Sequence, residues 1–220
     1  NYLMLTTIQK PYSYIVPLSR FPQKSVVYDL NGKEIKQVNE VPLTEIMPKG
    51  FSSVRTGKRN MSWRADKAAA LTFVEALDEG DQAKVVPFRD EVYVWEAPFT
   101  SNPTSFFKTK QRFGAIIWGN DNYAIVYDSW YDTRNTKAYL VNPSNLSAEA
   151  KIIADRNMQD IYSDPGNFET KRNEFNREVL AVENDNAYLI GNGFTKNGQF
   201  PFIDEFNLKT QKTTLTRFLI

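Results

Sequence analysis

The chain contains no cysteine and no histidine. Without cysteine there is no disulfide and no thiolate metal site, although the compartment stays open. Without histidine there is no Ser-His-Asp or Cys-His arrangement and no imidazole ligand for zinc or haem. That single count excludes most hydrolytic catalysis from this stretch of chain, so no catalytic residue, metal or cofactor is expected in it. No apolar run of 18 residues occurs, so no membrane insertion is expected. An excess of either charge is missing too: 27 Lys and Arg stand against 26 Asp and Glu. A net charge of +1 leaves no electrostatic footprint for nucleic acid. No signal peptide is visible, but the first residue is Asn1 rather than Met, which leaves room for a removed N-terminal segment. Bacterial periplasm or cytoplasm are the compartments considered, with periplasm favoured.

What is present is aromatic and strand-prone. Aromatic residues make up 14% of the chain and hydrophobic residues 41%, ample for a β-rich core. Residues 60–110 read as a complete unit of four strands. Met61-Ser62-Trp63-Arg64-Ala65-Asp66 is a short strand ending in a turn, and residues 68–77 are an apolar run closed by Asp78-Glu79-Gly80-Asp81. Residues 89–99 alternate, with Val92, Val94 and Glu96 on one face and Tyr93, Trp95 and Ala97 on the other. After a Pro/Asn/Ser turn comes the short run 105–109. Alternation bounded by turn residues signals strands rather than helices.

The unit recurs. Trp118-Gly119-Asn120-Asp121 repeats the Trp-x-x-Asp of Trp63 to Asp66, followed by strand-like runs at 123–128, 137–141 and 151–154. A third copy is expected at 178–182, with Asp185 in the equivalent turn, then runs at 187–190, 200–208 and 212–217. Four short strands at a period of roughly 50 residues are the mark of a β-propeller blade. The N-terminal portion, 1–40, reads as an incomplete blade: Tyr2–Ile8 matches a second strand, 11–22 is a proline-rich excursion, and Asn31-Gly32 is a hairpin turn. The expected fold class is therefore all-β, a partial β-propeller of about three and a half four-stranded blades. Blades are expected at 60–110, 112–156 and 177–220, with a polar inter-blade insertion at 157–176. Propellers usually close with four to eight blades. A piece cut from a larger propeller is favoured over a small four-bladed ring.

Several stretches in order resemble one known family. They are 11–22 with the following Tyr-Asp-Leu-x-Gly-Lys hairpin, Arg55-Thr56-Gly57-Lys58-Arg59, Ser62-Trp63-Arg64-Ala65-Asp66 and the Val74-Glu75-Ala76-Leu77-Asp78 run. Then come Ala97-Pro98-Phe99, Trp118-Gly119-Asn120-Asp121, Leu140-Val141-Asn142-Pro143 and Tyr162-Ser163-Asp164-Pro165-Gly166. The succession is similar to the N-terminal propeller of prolyl oligopeptidase family serine peptidases, in the glutamyl endopeptidase-like or acylaminoacyl-peptidase-like branch. The resemblance implies a propeller that gates peptide access to a C-terminal α/β-hydrolase domain, in a dipeptidyl, acylaminoacyl or glutamyl peptidase. The partners implied are that hydrolase domain and peptide substrate. No Gly-x-Ser-x-Gly elbow is present, so the hydrolase domain is absent from this chain. The alternative is a free-standing propeller-like module that binds protein or glycan.

Candidate contacts follow from loop position. Residues 157–176 place Tyr162, Asp164 and Arg172 beside Arg156 in a polar loop, and loops on rigid scaffolds carry contacts. Arg156 or Arg172 would pair an acidic substrate side chain bidentately. Tyr12 and Arg20 in the proline-rich excursion are candidates of the same kind. Trp63 and Trp118 read as repeated core residues, and Asp66, Asp121 and Asp185 as turn-capping carboxylates. Lys108, Lys110 and Arg112 beside Phe106, Phe107 and Phe113 lack the charge excess that single-strand nucleic acid binding needs.

Overall fold

The computed structural model describes residues 2–218. The described residues form strands, turns and two short 3-10 turns, with no α-helix among them. Three four-stranded antiparallel sheets and one three-stranded sheet follow one another along the chain. The chain is thus an all-β partial β-propeller built from blade-like meanders. It falls into two compact units, one comprising the chain to Arg64 with Ala69–Lys110, the other Ala65–Ala68 and everything from Gln111.

In the first unit, β1 (Tyr2–Ile8), β2 (Gln23–Asp29) and β3 (Glu34–Val41) form the three-stranded sheet, with β1 at its edge. The β2–β3 turn departs from the Asn-Gly type the dipeptide suggests. Gly32 takes a positive φ of 80° but Asn31 does not. The Asp29 carboxylate instead holds the loop, accepting from the N–H groups of Asn31 and Lys33 at 2.9 Å each. A β-turn followed by a left-handed glycine results.

The next sheet is β4 (Arg59–Trp63), β5 (Ala70–Ala76), β6 (Asp90–Glu96) and β7 (Thr104–Thr109), paired in that order. Five consecutive residues of β5 are buried, so both its faces are covered. That is why its sequence reads as a continuous apolar run instead of alternating. The core joins Val27 and Val38 with Leu71, Phe73, Trp95 and Phe99. Each such side chain contributes about 2 kcal/mol of apolar burial. Phe99 lies beyond the end of β6, fully buried, with a left-handed φ of 65°. Its ring meets Tyr2 edge-on at 5.6 Å, Trp95 at 6.0 Å and Trp63 at 6.2 Å.

Two buried carboxylates tie this sheet together. Asp90, wholly buried, takes Arg59 Nη2 at 2.6 Å, and Asp78, also buried, takes Arg89 Nη1 at 2.9 Å. Asp78 also accepts from the Gly80 N–H at 3.0 Å. Glu79 and Gly80 both have positive φ, and a Cβ on Gly80 would lie 2.0 Å from the Val54 carbonyl oxygen. Only glycine fits there.

The second unit begins with β8 (Arg112–Trp118), β9 (Ala124–Trp130), β10 (Asn135–Val141) and β11 (Lys151–Asn157). Trp118 ends β8 and is buried, and Trp63 takes the same last position in β4, packed against its own unit's core. The last sheet differs from the sequence expectation. Its outer partner to β15 (Asn186–Gly191) is β12 (Asn167–Phe168), which comes from the segment read as an insertion. The run at 178–182 instead supplies β14 (Glu178–Leu180), which pairs with β13 (Thr170–Arg172) in a separate hairpin. Two residues flanked by polar ones carry no periodicity, so sequence pattern had nothing to detect at β12. A small hairpin of β16 (Phe194–Thr195) and β17 (Gly198–Gln199) precedes β18 (Phe202–Asn207) and β19 (Lys212–Phe218). Ile125, Leu140, Leu180, Leu189, Phe206 and Leu208 form the core of this unit.

Candidate functional site

Residues directly opposite in an antiparallel pair share a sheet face. Along β18, Phe206 faces Ala187 of β15, Asp204 faces Leu189, and Phe202 faces Gly191. Ala187, Leu189 and Phe206 are buried, so this is the core face of the sheet, and Asp204 places a carboxyl on it. A register shift between Ile203 and Asp204 in the pairing with β19 sets Leu215 opposite Asp204. Gly191 has no side chain because the Phe202 ring occupies that space; a Cβ there would sit 2.2 Å from the ring.

Two segments enclose this end of β18. The first is the connector after β11. Arg156 is mostly buried and fixes it, with Nη2 3.1 Å from Asp164 Oδ1 and Nη1 donating to the carbonyls of Asn157 (3.3 Å) and Asp160 (3.1 Å). The Asp160 carboxylate accepts from Tyr162 N–H at 3.0 Å, capping the 3-10 turn Ile161–Ser163, and Asp164 accepts from Gly166 N–H at 3.0 Å. Hydrogen bonds from Ser163 and the Tyr162 N–H hold the Asp160 carboxyl below the usual range. The second segment is the β16–β17 hairpin, closed by Phe200 N–H donating to Gly193 O at 2.9 Å. Gly193 is in a left-handed conformation, and a Cβ on it would meet the Phe200 carbonyl oxygen at 1.7 Å.

Between connector and hairpin lies a cleft of about 830 Å³. Its walls are apolar and aromatic: Ile161 and Tyr162 from the connector, Phe194 and Phe200 from the hairpin, Phe202 and Leu215 from the sheet. Among the described residues its carboxyls are Asp164 and Asp204, and no lysine or arginine lines it. The Asp204 Oδ1 atom is buried without a hydrogen-bond partner. Burial pushes the Asp204 carboxyl above its ordinary value. Such a concave apolar site with a few convergent polar groups is the usual form of a ligand pocket. A smaller cavity of about 170 Å³ includes Tyr127, Lys137, Arg156, Asp164 and Phe168 in its lining, so Asp164 borders both. Burial raises the Tyr127 hydroxyl there to about 12.

The sequence candidates separate on this geometry. Tyr162 and Asp164 line the cleft, and Arg156 anchors it from behind through Asp164. An incoming carboxylate would have to displace Asp164 to reach Arg156. Arg172 lies on β13, where Nε meets Glu178 at 3.1 Å and Nη1 donates to Asn176 at 3.0 Å; it lines neither cavity. Tyr12 and Arg20 belong to the first unit. Tyr12 stacks on Phe21 at 6.0 Å, and Arg20 ends the 3-10 turn Leu18–Arg20, its carbonyl accepting from Thr44 N–H.

Two of the turn aspartates, Asp121 and Asp185, make ion pairs. Asp121 pairs with Lys67 Nζ at 2.5 Å, and the neighbouring Asn120 side chain accepts from the Asn122 and Tyr123 N–H groups. Asp185 accepts from the Tyr123 hydroxyl at 2.8 Å and pairs with Lys209 at 2.6 Å. Those two partners hold its carboxyl low, and burial with the same bond raises the Tyr123 hydroxyl to about 12. Asn184 and Asp185 form their turn by backbone alone, both at positive φ. The carboxylate is thereby free to reach across to another sheet.

Sequence reading missed Asp204, Phe194, Phe200 and Phe202. One signal was available: Phe202, Asp204 and Phe206 share a parity, so an acid falls on an otherwise apolar strand face.

No family model matches the chain. It is 38% identical over 217 residues to a protein of Oryza sativa subsp. japonica described as "Probable glutamyl endopeptidase, chloroplastic". It is likewise 38% identical over 218 residues to the protein of the same description from Arabidopsis thaliana. Both alignments take in 96% of this chain but 23% of the plant proteins, so the chain spans under a quarter of their length. Among solved structures, the β-propeller domain of the trilobed protease from Pyrococcus furiosus aligns with 98% of this chain and 53% of its own, at 12% identity and a TM-score of 0.49. An oligogalacturonate lyase in complex with manganese aligns with 97% of this chain and 49% of its own, at 13% identity and a TM-score of 0.47. The expected resemblance to glutamyl endopeptidase-like proteins is borne out by these two sequence relatives.

Proposed function

We propose that this chain is the non-catalytic propeller segment of a serine peptidase and controls peptide access to a hydrolase domain that it does not itself contain. The carrying observation is the 38% identity to probable glutamyl endopeptidases across nearly the whole chain, in a sequence with no histidine. Nothing in such a chain can serve as the general base of a Ser-His-Asp triad. What it offers is shaped surface, and the cleft lined by Tyr162, Asp164 and Phe200 is where a peptide would touch it.

The test uses the complete protein that contains this chain. Short reporter peptides with acidic, basic or prolyl residues are compared with a folded protein substrate, before and after loosening the connector by Arg156→Met. Access control predicts hydrolysis of short peptides in the parent and new cleavage of folded substrate in the variant. Peptide hydrolysis with unchanged size discrimination would reduce this segment to a scaffold. Failure to hydrolyse any peptide would leave the protein- or glycan-binding module as the better reading.

A further inference from the structure

We propose that the cleft beside the Ile161–Ser163 turn binds a cationic side chain, arginine or lysine, of a peptide, with Asp204 as its counter-ion. The inference rests on the peptidase reading only for the ligand being a peptide. Three observations carry it. First, Asp204 Oδ1 is a buried acceptor with no hydrogen-bond partner, and such an orphan is costly unless something donates to it. Second, among the described residues nothing in the lining supplies a charge to answer it: Asp164, the other carboxyl, already holds Arg156 and the Gly166 N–H, and the lining they form contains no lysine or arginine. The burial that raises the Asp204 carboxyl is relieved when a cation arrives.

Third, the walls suit such a ligand. Tyr162 and Phe200 are 62% and 45% exposed, so their rings are open to contact, and Phe202 lines the same cleft. Aromatic faces attract guanidinium and ammonium groups, and the aliphatic stem of arginine or lysine packs on apolar surface while its head reaches a polar partner. A neutral donor such as serine would satisfy Oδ1 but leave the aromatic walls unused. An acidic side chain would meet the Asp164 and Asp204 carboxyls.

The experiment measures binding to the complete protein by calorimetry, using acetylated and amidated tripeptides that differ only in a central arginine, lysine, norleucine or glutamate. Arginine and lysine peptides are expected to bind at least tenfold more tightly than the norleucine peptide, with glutamate weakest. Asp204→Asn keeps the shape and is expected to weaken the cationic peptides about 10–100-fold, the range of a charged hydrogen bond, while leaving norleucine unchanged. Phe200→Ala, at an exposed position, is expected to weaken cationic and norleucine peptides alike. Equal affinity for arginine and norleucine, or no effect of Asp204→Asn, overturns the proposal. If cationic peptides bind through Asp204 but no peptide is hydrolysed, the peptidase reading fails and this site stands. If peptides are hydrolysed without any preference passing through Asp204, the reverse holds.

Discussion

Replacing Phe99 by alanine and by glycine tests how the first unit is held. The side chain is fully buried and meets three aromatic rings between 5.6 and 6.2 Å away. Phe→Ala in such a core costs about 3–5 kcal/mol, from lost transfer energy and the cavity left behind. The backbone adds a second effect. At φ 65° a Cβ is crowded against the chain, costing roughly 1–2 kcal/mol that glycine does not incur. Glycine in ordinary strand positions is worse than alanine by about 0.5–1 kcal/mol. Here the order should vanish or invert: both variants lose the ring, but Phe99→Gly also loses the crowding. Urea denaturation followed by tryptophan fluorescence measures this, and with a slope of about 2 kcal/mol/M the midpoint should fall by about 1.5–2.5 M for alanine. A fall below about 0.5 M would mean that the ring is not a keystone of the core. A glycine variant clearly weaker than alanine would refute the backbone argument.

Asp90→Ala should cost about 3–5 kcal/mol, because it strands the buried Arg59 guanidinium, whereas replacing both residues by leucine and methionine should cost much less; denaturation midpoints of the single and double variants decide it. Gly80→Ala is expected to destabilise by more than about 1 kcal/mol, since its Cβ would collide with the Val54 carbonyl, and thermal unfolding measures this. Asp204→Asn should stabilise the unliganded chain at pH 7. A carboxyl whose folded value is raised above its ordinary 3.8 holds its proton more tightly when folded, so stability falls as pH rises from that value through the folded one. The advantage of asparagine should therefore be present at neutral pH and disappear near pH 3; a constant difference across that range would count against a buried ionisable Asp204.

Strands were legible where side-chain pattern alone defines them. Val92 and Val94 on one face and Tyr93 and Trp95 on the other mark β6, and the unbroken apolar run of β5 reflects a strand covered on both faces. Phe99 was read as the end of a strand, because nothing in Ala-Pro-Phe announces a left-handed residue turned back into the core. β12 escaped notice because two residues hold no period. For the site, Tyr162 and Asp164 could be picked out by their loop, but Arg156 was assigned a substrate's carboxylate when Asp164 of its own connector takes that place. Asp204 looked like any strand residue. The cleft it lines is completed by a connector and a hairpin that come together only once the chain is folded.

The placement of the four tryptophans has a spectroscopic consequence. Trp63 and Trp95 lie in the first unit, Trp118 and Trp130 in the second. Trp95 carries the Lys58 ammonium 4.8 Å from its ring and donates its indole N–H to the Ser101 carbonyl at 2.6 Å, so its emission is tied to one local arrangement. A chain with phenylalanine at positions 63 and 95 would report by fluorescence on the second unit alone, and the converse pair on the first. Comparing the two signals through one titration would tell whether half of this chain can melt while the other half stays folded.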